Sequence, residues 1–120
     1  MSIPDDLDQL VAARLHEVRE RIRMAGGVDV RVLPVTKTFG VEHCWAAYRA
    51  GCDEVGENYA QEVVGKLSDP ALPFGVRFIG QLQTNKVRML APVVDVFETV
   101  DRQSLVDELA KRVPGARVLI

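Results

Sequence analysis

The sequence carries almost no excess charge of either sign. Its 15 lysines and arginines stand against 17 aspartates and glutamates, for a formal net charge of -2. The basic residues are scattered among acidic ones, so the electrostatic footprint of a nucleic-acid-binding protein is missing. Long apolar runs are missing too. Nothing approaches the roughly 20 residues that span a bilayer, and the opening MSIPDDLDQL is acidic where a secretory leader is basic. The expectation is a cytoplasmic protein with neither a membrane nor a nucleic-acid partner. Cysteine is scarce: Cys44 and Cys52 are too far apart for a C-x-x-C motif and too few for a zinc site, and read as packing residues. No GxGxxG and no Walker loop is present, which removes the phosphate cradles of dinucleotide and nucleoside triphosphate sites. The two histidines, His16 and His43, fall on helical stretches away from every expected strand end.

What is present is the profile of one globular core, 48% hydrophobic and 27% charged over 120 residues. Ser2, Pro4 and Asp5 mark a helix start. Leu7, Leu10, Val11, Leu15, Val18 and Ile22 then recur at intervals of three and four, and Gly26-Gly27 stops the helix. Val28 to Val35 is rich in β-branched residues and apolar from Val32 except at Pro34, which predicts a strand buried on both faces. Pro34 cannot donate to a ladder, so it must lie at a bulge or where no N–H is needed. A helix follows from about Val41 through Cys44, Trp45 and Tyr48 to Gly51, then a strand from Asp53 to Gly56. Asn58 is placed to cap a helix through Val63, Val64 and Leu67, and Val76 to Ile79 reads as a strand. Thr84 or Asn85 opens the next helix and Pro92 closes it. Val93 to Phe97 forms a strand, Asp101 caps a helix through Leu105, Leu109 and Val113, and a fifth strand starts at Ala116.

Strands alternating with helices imply an α/β protein with a parallel sheet, either open and doubly wound or a (β/α)8 barrel. The short βα repeat favours the barrel, and a whole barrel needs about 250 residues. The expected fold is therefore a partial (β/α)8 TIM barrel, the first four to five βα units in one domain over residues 1–120. The chain ends on Val118-Leu119-Ile120 with no turn or cap, which predicts truncation in the fifth strand. Open edges on the first and fifth strands predict self-association.

Ligands in parallel α/β folds gather at the carboxyl ends of the strands. There this sequence places Lys37-Thr38, Gly56-Glu57-Asn58-Tyr59, Gly80 to Lys86, and Glu98-Thr99-Val100-Asp101. These are amides, a lysine, and glycines that let a backbone approach a ligand.

Four stretches, VTKTFG from residue 35, VGENYAQE from 55, RFIGQLQTNK from 77 and ETVDRQSL from 98, lie in an order that resembles the YggS/PROSC family. These are the pyridoxal phosphate homeostasis proteins, whose single barrel is similar to the N-terminal domain of bacterial alanine racemase. The resemblance implies that Lys37 forms a Schiff base with pyridoxal 5′-phosphate, that Asn58 lies close to the cofactor ring, and that Phe78 and Gly80 line its pocket. Each residue also has a plainer role: a strand-end lysine often snorkels to water, Asn58 serves equally as a helix N-cap, and Phe78 suits a core. Only a neutral amine attacks an aldehyde, so the site is expected to bury Lys37 beside Val35 and lower a pKa that is about 10.4 in water. Gln83, Asn85 and Lys86 belong to the family's motif without an assigned contact. Phe39 stands where family members commonly have a second lysine, and Arg77 where many have histidine.

The implied function is a cofactor carrier in vitamin B6 homeostasis. Its acceptors would be pyridoxal phosphate-dependent apoenzymes, it would turn over no amino acid, and the whole protein is expected to be a monomer. The alternative is an amino acid racemase, which needs a second base on the opposite face of the ring. Tyr48 and Tyr59 both fall on helices, so neither supplies it. A barrel enzyme of other lysine chemistry, such as an aldolase, stays open. The cofactor's phosphate calls for backbone N–H groups that in barrels come from the loops after strands seven and eight. Those strands are expected beyond Ile120, so a chain of this length should bind the cofactor poorly.

Overall fold

The computed structural model describes residues 3–120, and the helix start assigned to Ser2 lies outside them. Helix α1 (Leu7–Met24) leads, followed by α2 (Val41–Arg49), β1 (Glu54–Glu57), α3 (Ala60–Leu67), β2 (Gly75–Phe78), α4 (Thr84–Leu90), β3 (Val96–Phe97), α5 (Gln103–Arg112) and β4 (Arg117–Val118). The four strands form one parallel sheet in sequence order. Each of the first three strands returns to the sheet through a helix, as parallel pairing requires. On the helix-covered side, Val55, Phe78 and Phe97 pack with Val63, Leu67, Val87, Leu90, Leu105 and Leu109 into one buried core. The apolar stripes of α3, α4 and α5 thus meet one face of a continuous sheet.

The segment expected as the first strand differs. Residues 28–35 run without ladder pairing except for a single parallel bridge between Val35 and Gly56. That bridge consists of Gly56 N–H donating to Pro34 O at 2.8 Å and Thr36 N–H donating to Gly56 O at 3.0 Å. Pro34 has no N–H to add, and Asp29 turns the backbone into the left-handed region at φ 58°. Val28 and Val30 are 80% and 55% exposed, so the predicted burial on both faces is absent. Apolar sequence alone does not bury a strand that has only one neighbour.

Two expected caps are also corrected. Tyr59 rather than Asn58 holds the N-cap position of α3, and Arg102 rather than Asp101 that of α5, with no side-chain cap bond at either. Asp101 instead accepts from the Arg102 guanidinium at 2.7 Å. The leading helix keeps its expected stop, with Gly26 at φ 86°. Its apolar stripe is only half covered, however: Leu15 is buried against Ala47 and Cys52, while Leu10 and Val18 stay exposed.

Candidate functional site

Lys37 sits in a tight turn at the end of the segment bridged to β1. Phe39 N–H donates back to Thr36 O at 3.1 Å, so Lys37 and Thr38 are the two central turn residues. Thr38 has φ 68°, a conformation that usually calls for glycine at this turn position and that costs a β-branched residue about 1–3 kcal/mol. Lys37 is exposed, as are its neighbours Val35 and Phe39. The apolar enclosure expected around Lys37 is therefore not supplied by these residues. Among the described residues its amine joins no ion pair.

Directly behind the turn lies a buried polar cluster. Glu57, 0% exposed, ends β1 and accepts from the Thr36 hydroxyl and from Lys66 Nζ at 2.8 Å. Lys66 also reaches Glu62 Oε1 at 3.0 Å, Thr36 O at 2.8 Å and Phe39 O at 2.6 Å. Glu62 in turn accepts the Thr38 N–H, and Cys44 Sγ donates to the Thr36 hydroxyl at 3.4 Å. Burial works against the charged form of Lys66, but its hydrogen bonds to Glu57 and Glu62 and the nearby negative charge outweigh this and raise its pKa. Burial likewise raises the Cys44 thiol above its ordinary value.

The strand ends beyond β1 form a second group. Gly80 passes so close to the chain after β1 that a Cβ on it would lie 2.2 Å from the Asn58 carbonyl oxygen. Thr99 donates its hydroxyl to Gly80 O, and Arg102 Nη2 donates to Leu82 O at 2.5 Å, which ties the loop after β3 to the loop after β2. Asn58, Phe78, Gln81, Gln83, Lys86 and Arg102 border an open cleft of about 520 Å³. Phe78 belongs mainly to the buried core, and Lys37 does not border this cleft. The structure thus brings Asn58, Phe78 and Gly80 together and leaves Lys37 on its own turn.

Sequence reasoning placed Glu57 at a strand end without giving it a role, and missed Lys66 and Glu62. Glu62 and Lys66 sit at i and i+4 on α3, a spacing that pairs opposite charges on any helix and so gave no particular signal. His43 was expected far from the strand ends, yet its ring stacks on Phe39 with centroids 4.4 Å apart. The helix it sits on starts immediately after the turn, so its first turn lies beside Lys37's loop. Arg77 donates to Glu54 Oε2 at 2.9 Å and so has a structural partner. Among the described residues no three His, Cys, Asp or Glu side chains converge to hold a metal ion, and no helix is long and apolar enough to cross a membrane.

No family model matches the chain. Individual proteins do. The pyridoxal phosphate homeostasis protein of Pasteurella multocida is 36% identical over 117 residues, which cover 95% of this chain and 49% of that protein. Its counterpart in Pseudomonas aeruginosa is 37% identical over 109 residues, covering 88% and 46%. Among solved structures, PipY of Synechococcus elongatus with pyridoxal phosphate bound superposes with a TM-score of 0.73 at 27% identity, over 84% of this chain and 47% of that one. An unknown protein from Bifidobacterium adolescentis superposes with a TM-score of 0.77 at 32% identity, over 92% of this chain and 52% of that one. The chain spans about half the length of the curated relatives it matches. Over the length it spans, the chain is similar to the pyridoxal phosphate homeostasis proteins, to two of which it is 36% and 37% identical across about half of their length.

Proposed function

We propose that the protein to which this chain contributes binds pyridoxal 5′-phosphate through Lys37 and serves vitamin B6 homeostasis as a carrier. The observation that carries this reading is the Thr36–Phe39 turn, which presents an unpaired lysine amine to solvent at the carboxyl end of a parallel sheet. A free, reachable amine fits the cofactor's aldehyde; the Lys37 nitrogen adds to the carbonyl carbon and water leaves. Lys66, the basic side chain that contacts the turn, is engaged by Glu57, Glu62 and two carbonyls and so is not available to match the cofactor's anionic end. Asn58, Phe78 and Gly80 form the neighbouring wall, and the phosphate-binding groups belong to the part of the family fold that this chain does not span. On the same reading the four βα units are the first half of a (β/α)8 barrel, whose remaining strands would enclose Lys37 and strip water from its amine. Transfer to apoenzymes, a cytoplasmic location and a monomeric whole protein complete the proposal.

The test is to add pyridoxal phosphate to this chain and to a family-length protein containing it. The visible absorbance of the adduct is recorded, the adduct is fixed with borohydride, and the labelled peptide is mapped. Label on Lys37, and its loss in Lys37→Ala, is the expected result. Label on another lysine, or an unchanged band in Lys37→Ala, overturns the assignment. Incubating the loaded protein with L-alanine and assaying D-alanine separates carriage from racemisation.

A further inference from the structure

We propose that Lys66, braced by Glu57 and Glu62, is a positioning residue that holds the Lys37 turn in the conformation from which its amine reacts. The inference rests on the reading of Lys37 as the anchoring amine, and it assigns to the buried cluster a role that ion pairing alone does not require.

The geometry is specific to the turn. The Lys66 ammonium has three N–H groups and four acceptors within reach. Two of these, Thr36 O at 2.8 Å and Phe39 O at 2.6 Å, are the backbone carbonyls that bracket Lys37. The other two are the carboxylates of Glu57 and Glu62. Glu62 takes the Thr38 N–H, so it grips the one central turn residue whose backbone lies in the left-handed region. Glu57 takes the Thr36 hydroxyl. The handles by which this cluster holds the turn are backbone groups and the Thr36 hydroxyl, and the Lys37 side chain is exposed.

A strained turn relaxes unless its surroundings over-determine it, and here they do so from one side. A buried ion pair that served stability alone would not need two main-chain carbonyls and an amide from the same four residues, and such pairs are weak stabilisers in general. Hydrogen bonding to the two carboxylates also keeps Lys66 charged, hence a donor, throughout the neutral range. Misplacing a reacting group by about 1 Å can cost on the order of a hundredfold in rate, so a device that fixes the Lys37 backbone bears directly on how fast the amine meets the aldehyde.

The experiment combines two measurements on Glu62→Ala, Glu62→Gln and the double variant Glu57→Gln/Lys66→Met, which removes the ammonium together with the fully buried carboxylate it pairs with. In the cofactor-free protein, amide hydrogen exchange is followed at Thr38 and Phe39, with Val55 and Phe78 as core references. With pyridoxal phosphate as probe, the rate of borohydride-fixable labelling at Lys37 is followed against pH. Expected are a roughly tenfold or greater loss of Thr38 protection in Glu62→Ala and in the double variant, and a comparable drop in labelling rate. Core exchange should stay unchanged, and Glu62→Gln, which keeps a carbonyl acceptor for the Thr38 N–H, should recover most of both. Unchanged Thr38 exchange, or a wild-type labelling rate in variants whose turn has loosened, overturns the positioning role. So does a loss explained by faster exchange in the core. A wild-type protein labelled elsewhere than Lys37 fails the underlying reading instead, while the exchange data still decide whether the cluster holds the turn.

Discussion

Gly80 has no room for a side chain. A Cβ there would meet the carbonyl oxygen, carbonyl carbon and Cα of Asn58 at 2.2, 2.8 and 2.8 Å, all main chain, so no rotamer change relieves the clash. We expect Gly80→Ala to lower stability by about 1–3 kcal/mol, read from the urea midpoint at unchanged slope, and to displace Asn58. The second residue-scale expectation concerns pH. The folded-state pKa of Lys66 lies above its ordinary 10.5, so its contribution to stability is complete below that value and disappears as pH rises through the folded-state pKa. Stability attributable to Lys66 should therefore be flat through neutrality and decline only in the alkaline range. Lys66→Met, compared with the parent by urea unfolding at pH 7 and above pH 10.5, should lack that alkaline decline.

At the scale of elements, β1 and β2 share a four-residue register from Glu54 opposite Gly75 to Glu57 opposite Phe78, whereas residues 28–35 hold on by one bridge. Local opening follows how much structure must be broken to expose an amide. Amides of Val55 and Phe78 should exchange slowest, and those of residues 28–33 should exchange near the rate of an open chain, measurable by exchange and mass spectrometry. Protection across 28–33 equal to that of β1 would mean that this segment forms a full strand in solution. Periodicity placed the helices well, because a 3.6-residue repeat over two or more turns has few alternatives. The short strands are trimmed relative to the sequence expectation: β3 keeps Val96–Phe97 of the expected Val93 to Phe97, since Val93 and Val94 donate back to Leu90 O at the end of α4.

For the whole molecule, the open side is the dominant feature. Leu10, Val11, Val18, Val32, Pro34 and Val35 border a largely apolar groove of about 360 Å³ between α1 and the bridged segment, and Leu10, Val18 and Val35 are among the exposed large apolar residues. Apolar surface of this kind drives association. The 13.3 kDa chain should sediment above its monomer mass at micromolar concentration, and Leu10→Glu with Val18→Glu should shift it toward the monomer. A monomeric parent would show that the groove is harmless as it stands.

The alternation of helices and strands and the four motifs follow from the sequence alone, because each is written in local periodicity or in a short contiguous string. Lys37 was singled out in the same way, as a charged residue closing an apolar run. What the tertiary structure decided is which motifs grip one another. Lys66 of α3 reaches back 30 residues to Thr36 O, and Thr99 and Arg102 reach back to Gly80 and Leu82. Such pairings depend on how the crossovers wind, and no spacing in the chain encodes them. The same holds for exposure: burial of Lys37 and Val35 depends on neighbouring surfaces in space, and apolar character in sequence sets only the preference for such neighbours.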